Sequence, residues 1–315
     1  MQGKQSRKPL RTRVYIDGYN LYYGCLKNSP YKWLDIYCLF ERHILPSVLL
    51  RDEAGVPKEF ALLKVGAIKF FTAKIIESVA KSPDSVSSQA RYHTALRKLY
   101  SDQVEILEGY YAVNKVAVKL VDRAQPNRQP KECEEALAWK VEEKQSDVNL
   151  ALQAYHDAIK GNIDHAIIVT NDTDITPALA MIREHTDVLI GVVTPTRNQE
   201  RRPNKALTEH SHWTRTHITQ SELSDSQLPR VIKAGRKPTT KPISWFSQPK
   251  LLQQVLDLAI PIRGNQSEAF KWMSQPNKYL NNRRPIDLVE TEGGAYEVLA
   301  YIHKWKENNI EEEST

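Results

Sequence analysis

Asp17 and Asn20 close the stretch Val14-Tyr15-Ile16-Asp17-Gly18-Tyr19-Asn20, Asp172 and Asp174 follow His165-Ala166-Ile167-Ile168-Val169-Thr170-Asn171, and Asp147 stands between the two. Gathered in one place, such carboxylates are ligands for a hard cation, Mg²⁺ or Mn²⁺, which takes a few carboxylate oxygens and keeps several waters. One or two ions of this kind meet the needs of phosphodiester cleavage: a water made nucleophilic near neutral pH, and relief of charge on the scissile phosphate and leaving oxygen. Three or four crowded carboxylates would repel one another severely without a cation, so the metal and the acids explain each other. Asn20 could hold a water or a phosphate oxygen without adding charge. Each residue also has an ordinary role open to it. Asp17-Gly18 would serve as a strand-to-loop turn, Asp147 as a solvated helix residue, Asp172 or Asp174 as a turn former, and Thr176-Pro177 as a helix cap with proline in the first turn. Their joint placement after apolar runs favours the site.

The elements that must carry these residues follow from pattern. Short runs rich in Val and Ile, ended by Gly or Asn, read as buried parallel strands, and open α/β sheets bind ligands beyond the carboxyl ends of their strands. Residues 31–50 have helical spacing that Pro46 bends or ends. A second strand is expected over 62–71, a helix over 88–101 and a third strand over 104–110. Residues 113–131 read as a long surface excursion. A helix over about 134–159 would contain Asp147, followed by a strand over 165–170, a helix from Thr176 or Pro177 to His185, and a strand over 188–193. This alternation predicts an α/β fold, a Rossmann-like parallel sheet with helices on both faces. Around 228–249 the composition shifts to Pro, Lys, Thr, Ser and Gln, which reads as a linker. Short helices at 251–258, 268–273, 285–290 and 296–306 then predict a small all-α domain. The expected division is 11–232, a linker at 233–250, and 251–310.

At 315 residues, 41% hydrophobic and 26% charged, the chain has ample length for a core. No stretch is long and apolar enough for a membrane span, and the basic start lacks the apolar segment of a secretory signal, so a cytoplasmic protein is expected. Cys25, Cys38 and Cys133 are widely spaced without a CxxC pair, which argues against a disulfide framework and a zinc site. His210 and His212 lack the spacing of paired ligands on one helix face. Net charge is +6 with a pI near 9.0. The excess lies in three clusters: Lys4, Arg7, Lys8, Arg11 and Arg13; Arg197, Arg201, Arg202 and Lys205; and Arg230, Lys233, Arg236, Lys237 and Lys241. Such clusters suit a polyanion held by its phosphates around a metal-filled centre, and equally a solvated basic surface.

Taken in order, residues 14–24 (VYIDGYNLYYG), 142–151 (EEKQSDVNLA) and 169–174 (VTNDTD) resemble the NYN domain family of PIN-like nucleases. Residues 92–99, 104–110 and 226–229 fall where that family has a helix, a strand and a terminal motif. The resemblance covers roughly 11–232. It implies a PIN-like sheet and a metal-dependent RNase centre with Asp17, Asp147, Asp172 and, more loosely, Asp174 as its carboxylates. The chain departs from the pattern at Gln153, where many members carry a further acid, and at Asn171, where a glycine is common, which bears on the number of metals. Glu143 either joins the site or forms a helix-face pair. Separately, Ala269-Phe270-Lys271-Trp272-Met273, Pro276-Asn277, Leu280, Arg284-Pro285-Ile286-Asp287-Leu288, Gly293-Gly294 and Val298 resemble the toxin-binding domain of Xre/MbcA/ParS-type antitoxins over roughly 266–306.

These observations lead to the expectation of a metal-dependent endoribonuclease with RNA as partner. Tyr19, Tyr22 or Tyr23 would stack on a base or serve in packing. A protein partner or self-association is expected through the helical domain, in a toxin–antitoxin or phage-defence setting by analogy. The rivals are a non-catalytic RNA-binding module, an interaction scaffold acting through its helical domain, and a metal-dependent phosphatase or flap-type DNA nuclease.

Overall fold

The computed structural model describes residues 8–197, 201–234 and 237–313, with side chains to residue 308; Lys4, Arg7 and Arg236 lie outside. Leu10–Asp17 forms β1, with Val14 and Ile16 buried in one layer and Tyr15 in the other. A strand covered on both faces cannot alternate apolar with polar, hence its continuous Val, Tyr and Ile. The four-residue α1 (Gly18–Leu21) follows, then α2 (Ile36–Leu39), which continues through Phe40–Ile44 into a last turn, Leu45–Ser47, that holds Pro46. Next come β2 (Phe60–Leu62), β3 (Ile68–Ala73), α3 (Ser85–Leu99), β4 (Val104–Lys119) and β5 (Glu135–Lys144). They are followed by α4 (Ser146–Ile159), β6 (His165–Val169), α5 (Thr176–His185), β7 (Leu189–Val193), α6 (Lys205–Thr208), β8 (Trp213–Arg215) and α7 (Gln220–Asp225). A short antiparallel pair, β9 (Val231–Ile232) and β10 (Thr239–Thr240), leads to α8 (Pro249–Arg263), α9 (Gln266–Met273), α10 (Pro285–Leu288) and α11 (Glu292–Glu313).

The sheet runs β5-β4-β3-β1-β6-β7-β8, with β2 also on β1, and all its pairings are parallel except β4 with β5. Chain order climbs outward from β1 on one side through β3 and β4, then restarts on the other side with β6. The gap between the carboxyl ends of β1 and β6 is therefore the topological switch point, where open α/β sheets bind ligands. One core layer packs Trp33, Ile36, Phe40, Tyr92 and Leu96 against β1 and β6. The opposite layer packs Leu150, Ala154, Leu179 and Ile182, from α4 and α5. The parallel α/β sheet expected from the alternating pattern is present.

Three local expectations need correction. The strand expected over 62–71 is two strands on the same edge of β1, broken at Gly66, whose φ is +60° and whose carbonyl accepts from Arg13 Nε at 2.7 Å. The surface excursion at 113–131 and the helix from 134 are instead largely one ribbon, paired from Tyr110↔Lys144 to Lys119↔Glu135. Residues 134–144 are rich in helix formers, yet Leu137, Trp139 and Val141 alternate with period two, and cross-strand pairing overrides weak local propensity. Asp147 consequently sits in the first turn of α4 and not mid-helix.

The Pro-rich stretch expected as a linker lies against both cores. Trp245 packs on Trp33 and Tyr92 at ring-centroid distances of 6.1 and 5.9 Å, and Phe246 joins the core of α8–α11. Arg230 pairs with Asp287 and Glu290, and Lys241 with Glu290, so these two members of the basic cluster are engaged by the helical segment. Arg11 pairs with Asp164 and Arg13 with Asp157, in the amino-terminal half of β1, away from its carboxyl end. Among the described residues no helix is long and apolar enough to cross a membrane.

Asp157 anchors α4 to the sheet: its carboxylate accepts from Tyr15 Oη at 2.8 Å and Lys69 Nζ at 2.8 Å, with Arg13 at 2.6 Å. Burial would raise its pKa, but the hydrogen bonds from Lys69, Arg13, Tyr15 and Asn162 outweigh it and hold the group well below the carboxylate range. A depressed carboxyl contributes stability above its unfolded pKa, and that contribution is lost as pH falls through the folded one. Asp157→Ala removes the only carboxylate, among the described residues, paired with the buried Lys69 and with the part-buried Arg13, and should cost about 3 kcal/mol in urea unfolding at neutral pH, with a smaller difference from wild type at pH 3. A loss below about 1 kcal/mol at neutral pH would contradict this account.

Candidate active site

Asp17 ends β1 and is 4% exposed. It caps α1, its Oδ1 accepting from Asn20 N at 2.9 Å, while Oδ2 accepts from Asn20 Nδ2 at 2.6 Å and from Thr170 Oγ1 at 2.8 Å. Thr170 is the first residue past β6, and the same hydroxyl accepts from Asp172 N at 3.1 Å. Asp172 in turn caps the next turn by accepting from Asp174 N at 3.1 Å. Asp172 is half-buried and Asp174 exposed. The two acidic stretches are thus joined through one buried hydroxyl at the switch point.

Asp147 arrives from the third direction. β5 ends at Lys144, Gln145 takes a left-handed φ of +79°, and α4 starts at Ser146. A left-handed non-glycine residue costs energy that packing must repay, and such residues concentrate at functional sites. The turn fits because Gly109 lies under it: a Cβ there would stand 2.3 Å from Lys144 O and 3.1 Å from Ser146 Oγ. Ser146 Oγ donates to Glu143, which faces Tyr111 across the ribbon. Glu143 therefore lies on the strand side of the turn, and Asp147 on the helix side.

The charges act on one another. Burial raises the pKa of Asp17, with Asp172 adding to the rise against hydrogen bonds that lower it. Burial and then Asp17, Asp172 and Asp174 push Asp147 up to about 6. Burial, opposed by the Ser146 hydrogen bond and reinforced by Asp17 and Asp147, pushes Glu143 up to about 7. Asp17, Asn20, Asp147, Asp172 and Asp174 thus lie within each other's influence, and Glu143, on a strand and not on a helix face, stands beside them. Among the described residues, however, no three His, Cys, Asp or Glu side chains are gathered in a shape that could hold a metal ion.

Next to Glu143 stands a cluster of tyrosines. Tyr19 Oη and Tyr111 Oη are 2.6 Å apart, Tyr23 lies 5.1 Å from Tyr19 and 5.3 Å from Tyr22, and Lys27 and Lys81 stand over the Tyr23 ring at 4.8 and 5.4 Å. Asn171 accepts from Asn204 N at 2.8 Å and donates to Arg202 O at 3.2 Å, fixing the basic loop after β7 beside the acids. Sequence reasoning missed Thr170, Tyr111 and Asn171 as participants. Thr170 and Asn171 directly follow a recognised strand, which is the available signal; Tyr111 lay in a stretch assigned no strand.

A curated relative from Pseudomonas putida (strain DSM 28022 / S16), named 6-hydroxy-3-succinoylpyridine 3-monooxygenase HspA, is 64% identical over 97% of each chain. The family model for the NYN domain matches residues 69–211. The chain belongs to one family with this relative and carries a NYN domain. The NYN match includes Asp147, Asp172 and Asp174 and leaves Asp17 and Asn20 outside. Residues 254–306 match the antitoxin Xre/MbcA/ParS C-terminal toxin-binding domain. A solved Vibrio parahaemolyticus RIMD 2210633 protein of unknown function, VPA0982, aligns with 69% of this chain and 97% of its own at 16% identity, with a TM-score of 0.38.

A carboxyl whose folded pKa is raised stabilises the NYN domain below its unfolded pKa, and that contribution is lost as pH rises through the folded value. In EDTA, the melting temperature should therefore fall between pH 5 and pH 7.5. Asp147→Asn or Glu143→Gln should each recover about 2–4 °C of that fall, the shift expected of roughly 1 kcal/mol. Identical pH profiles for wild type and both variants would show that these acids do not repel one another.

Proposed function

We propose that this protein is a divalent-cation-dependent ribonuclease that cuts within RNA chains. What supports the proposal is the mutual influence of these acids around the switch point: Asp172 adds to the raised pKa of Asp17, and Asp17, Asp172 and Asp174 add to that of Asp147. A site that only bound RNA would gain nothing from carboxylates facing phosphates. The donor set is all oxygen and suits Mg²⁺ or Mn²⁺; Mg²⁺ uses one or two carboxylates plus waters and substrate phosphates, so a closed protein cage is not required. The chemistry supplied by the bound cation is Lewis-acid activation of water and relief of charge on the phosphate.

In this proposal Asp17, Asp147 and Asp172 hold the metal, and Asp174 binds it or orients its water. Asn20 acts on Asp17: its amide and backbone N–H both donate to that carboxylate, fixing its orientation. Arg201 and Arg202, on the loop tied down by Asn171, attract the phosphate backbone. Residues 11–232 act as the nuclease domain, in a cytoplasmic setting, and the helical domain at 251–310 as the place of a protein contact or self-association, in line with its match to a toxin-binding domain.

A second reading is favoured by the Pseudomonas putida relative, named for monooxygenation of a pyridine. The tyrosine cluster beside Glu143 offers a surface for a flat heterocycle as readily as for a base. That reaction needs O₂ and a two-electron reductant, whereas hydrolysis needs neither.

The test runs single-stranded and structured RNA with Mg²⁺, Mn²⁺ or EDTA beside 6-hydroxy-3-succinoylpyridine with O₂ and reduced nicotinamide or flavin. Metal-dependent cutting of RNA should be abolished by Asp17→Asn and Asp172→Asn and reduced roughly 10- to 100-fold by Asn20→Ala. Turnover of the pyridine without cleavage of any RNA would replace this proposal with the second reading.

A further inference from the structure

The ribbon of β4 and β5 leaves the sheet beyond Ala73, the last residue of β3, and so extends past the carboxyl edge that carries the acids. At its base Tyr111 reaches Tyr19, and Glu143, opposite Tyr111, feels Asp17 and Asp147. Side chains two apart on a strand share a face, so the side that bears Glu143 continues through Val141, Trp139 and Leu137. Trp139 is 65% exposed, and its cross-strand partner Lys115 holds Nζ 5.1 Å from the ring centroid. Leu137 and Val141 flank it, 73% and 47% exposed. A two-stranded ribbon is at best marginally stable by itself in water, and an exposed Trp between exposed aliphatic residues is a surface prepared for a partner.

Tyr23, 39% exposed, is joined to the base of the ribbon through Tyr19 and Tyr111; Lys27 stands over its ring and Lys81 donates to its hydroxyl at 3.2 Å. Beside the acids the chain therefore presents two exposed aromatic rings, Tyr23 and Trp139, each with a lysine over it. Single-stranded nucleic acid is held by this pairing: a base stacks on the ring while the cation meets phosphate. A second copy of the chain would be met by apolar surface alone and would not call for the same pairing at Tyr23.

We propose that the face of the ribbon centred on Trp139 and Lys115 is a docking arm for single-stranded RNA, stacking a base several nucleotides from the phosphodiester held at the acids. The inference rests on the ribonuclease reading above. Trp139 is four residues from Glu143, roughly 13 Å along the strand. A long strand reaches it, and a dinucleotide, with one nucleotide on each side of the phosphodiester at the acids, does not.

The experiment compares kcat/KM with Mn²⁺ for an unstructured 20-nucleotide RNA and a dinucleotide, using full-length wild type, Trp139→Ala and Trp139→Phe, with light scattering for oligomeric state. Trp139→Ala should lower kcat/KM for the 20-mer about 5- to 150-fold, the loss expected from one stacked base. Trp139→Phe should restore most of it, and the dinucleotide should be cut equally by all three. Equal cleavage of the 20-mer by Trp139→Ala and wild type would overturn the arm while leaving the nuclease intact. A wild-type dimer made monomeric by Trp139→Ala, with 20-mer cleavage unchanged, would assign the face to a second copy. No cleavage of either RNA by wild type would remove the ribonuclease reading and the arm with it.

Discussion

The hydroxyl of Thr170 holds two strand ends together. It donates to the buried carboxylate of Asp17 and accepts from the backbone of Asp172, so the acid that ends β1 and the acid that follows β6 cannot move apart without stranding a buried polar group. Because β1 and β6 are neighbours at the point where the order of the sheet reverses, that bond lies where the fold leaves a crevice. The remaining parts bring further negative charge to this point: α4 through Asp147, and the ribbon through Glu143. A site assembled in this way resists its own ionisation, and the raised pKa values of three of its acids express that resistance.

The helix α4 shows how environment decides the behaviour of one kind of side chain. Asp147, in its first turn, lies among carboxylates and its pKa is pushed up; Asp157, ten residues later, lies among Arg13, Lys69 and Tyr15 and is held down. Asp157 fixes the helix to the sheet, so Asp147 can be held where it is repelled. Lys69 also donates to Gln153 Oε1 at 2.5 Å, at the position where the NYN resemblance carries another acid in many members. Here that position belongs to the anchoring network, and the additional carboxylate near the centre is Glu143, delivered from the ribbon. The left-handed Gln145 and the close approach at Gly109 are the local costs of that delivery.

Much of this was legible in the sequence where one chemical signal is local. Val14 to Ile16 and Ala166 to Val169 are continuous apolar runs ended by acids, and a doubly covered parallel strand is what such a run can form. The ribbon was not legible in the same way. Glu134 to Lys144 is rich in helix formers, and its strand state depends on pairing with residues 110–119, a partner that local propensity cannot see. Composition also misjudged the Pro-rich segment, because Trp245 and Phe246 are anchored by rings distant in sequence. The basic clusters divide for a similar reason: Arg11, Arg13, Arg230 and Lys241 serve internal ion pairs, while Arg201 and Arg202 stand near the acids through the side chain of Asn171.

The helical segment is tied to the Pro-rich stretch before it through Glu290, which meets Arg230, Lys241 and the backbone of Ser247, and that stretch packs on the sheet's core layer through Trp245, so a partner bound to the helices would act on a docked body and not on a free appendage. Whatever that partner is, the account stands on cation binding where β1, β6 and α4 meet. The most direct measurement is an anomalous difference map from crystals of the intact protein grown with Mn²⁺. The account predicts a peak bounded by the carboxylates of Asp17, Asp147 and Asp172. A well-ordered crystal with those acids in place and no peak among them, or with manganese only elsewhere, would contradict it.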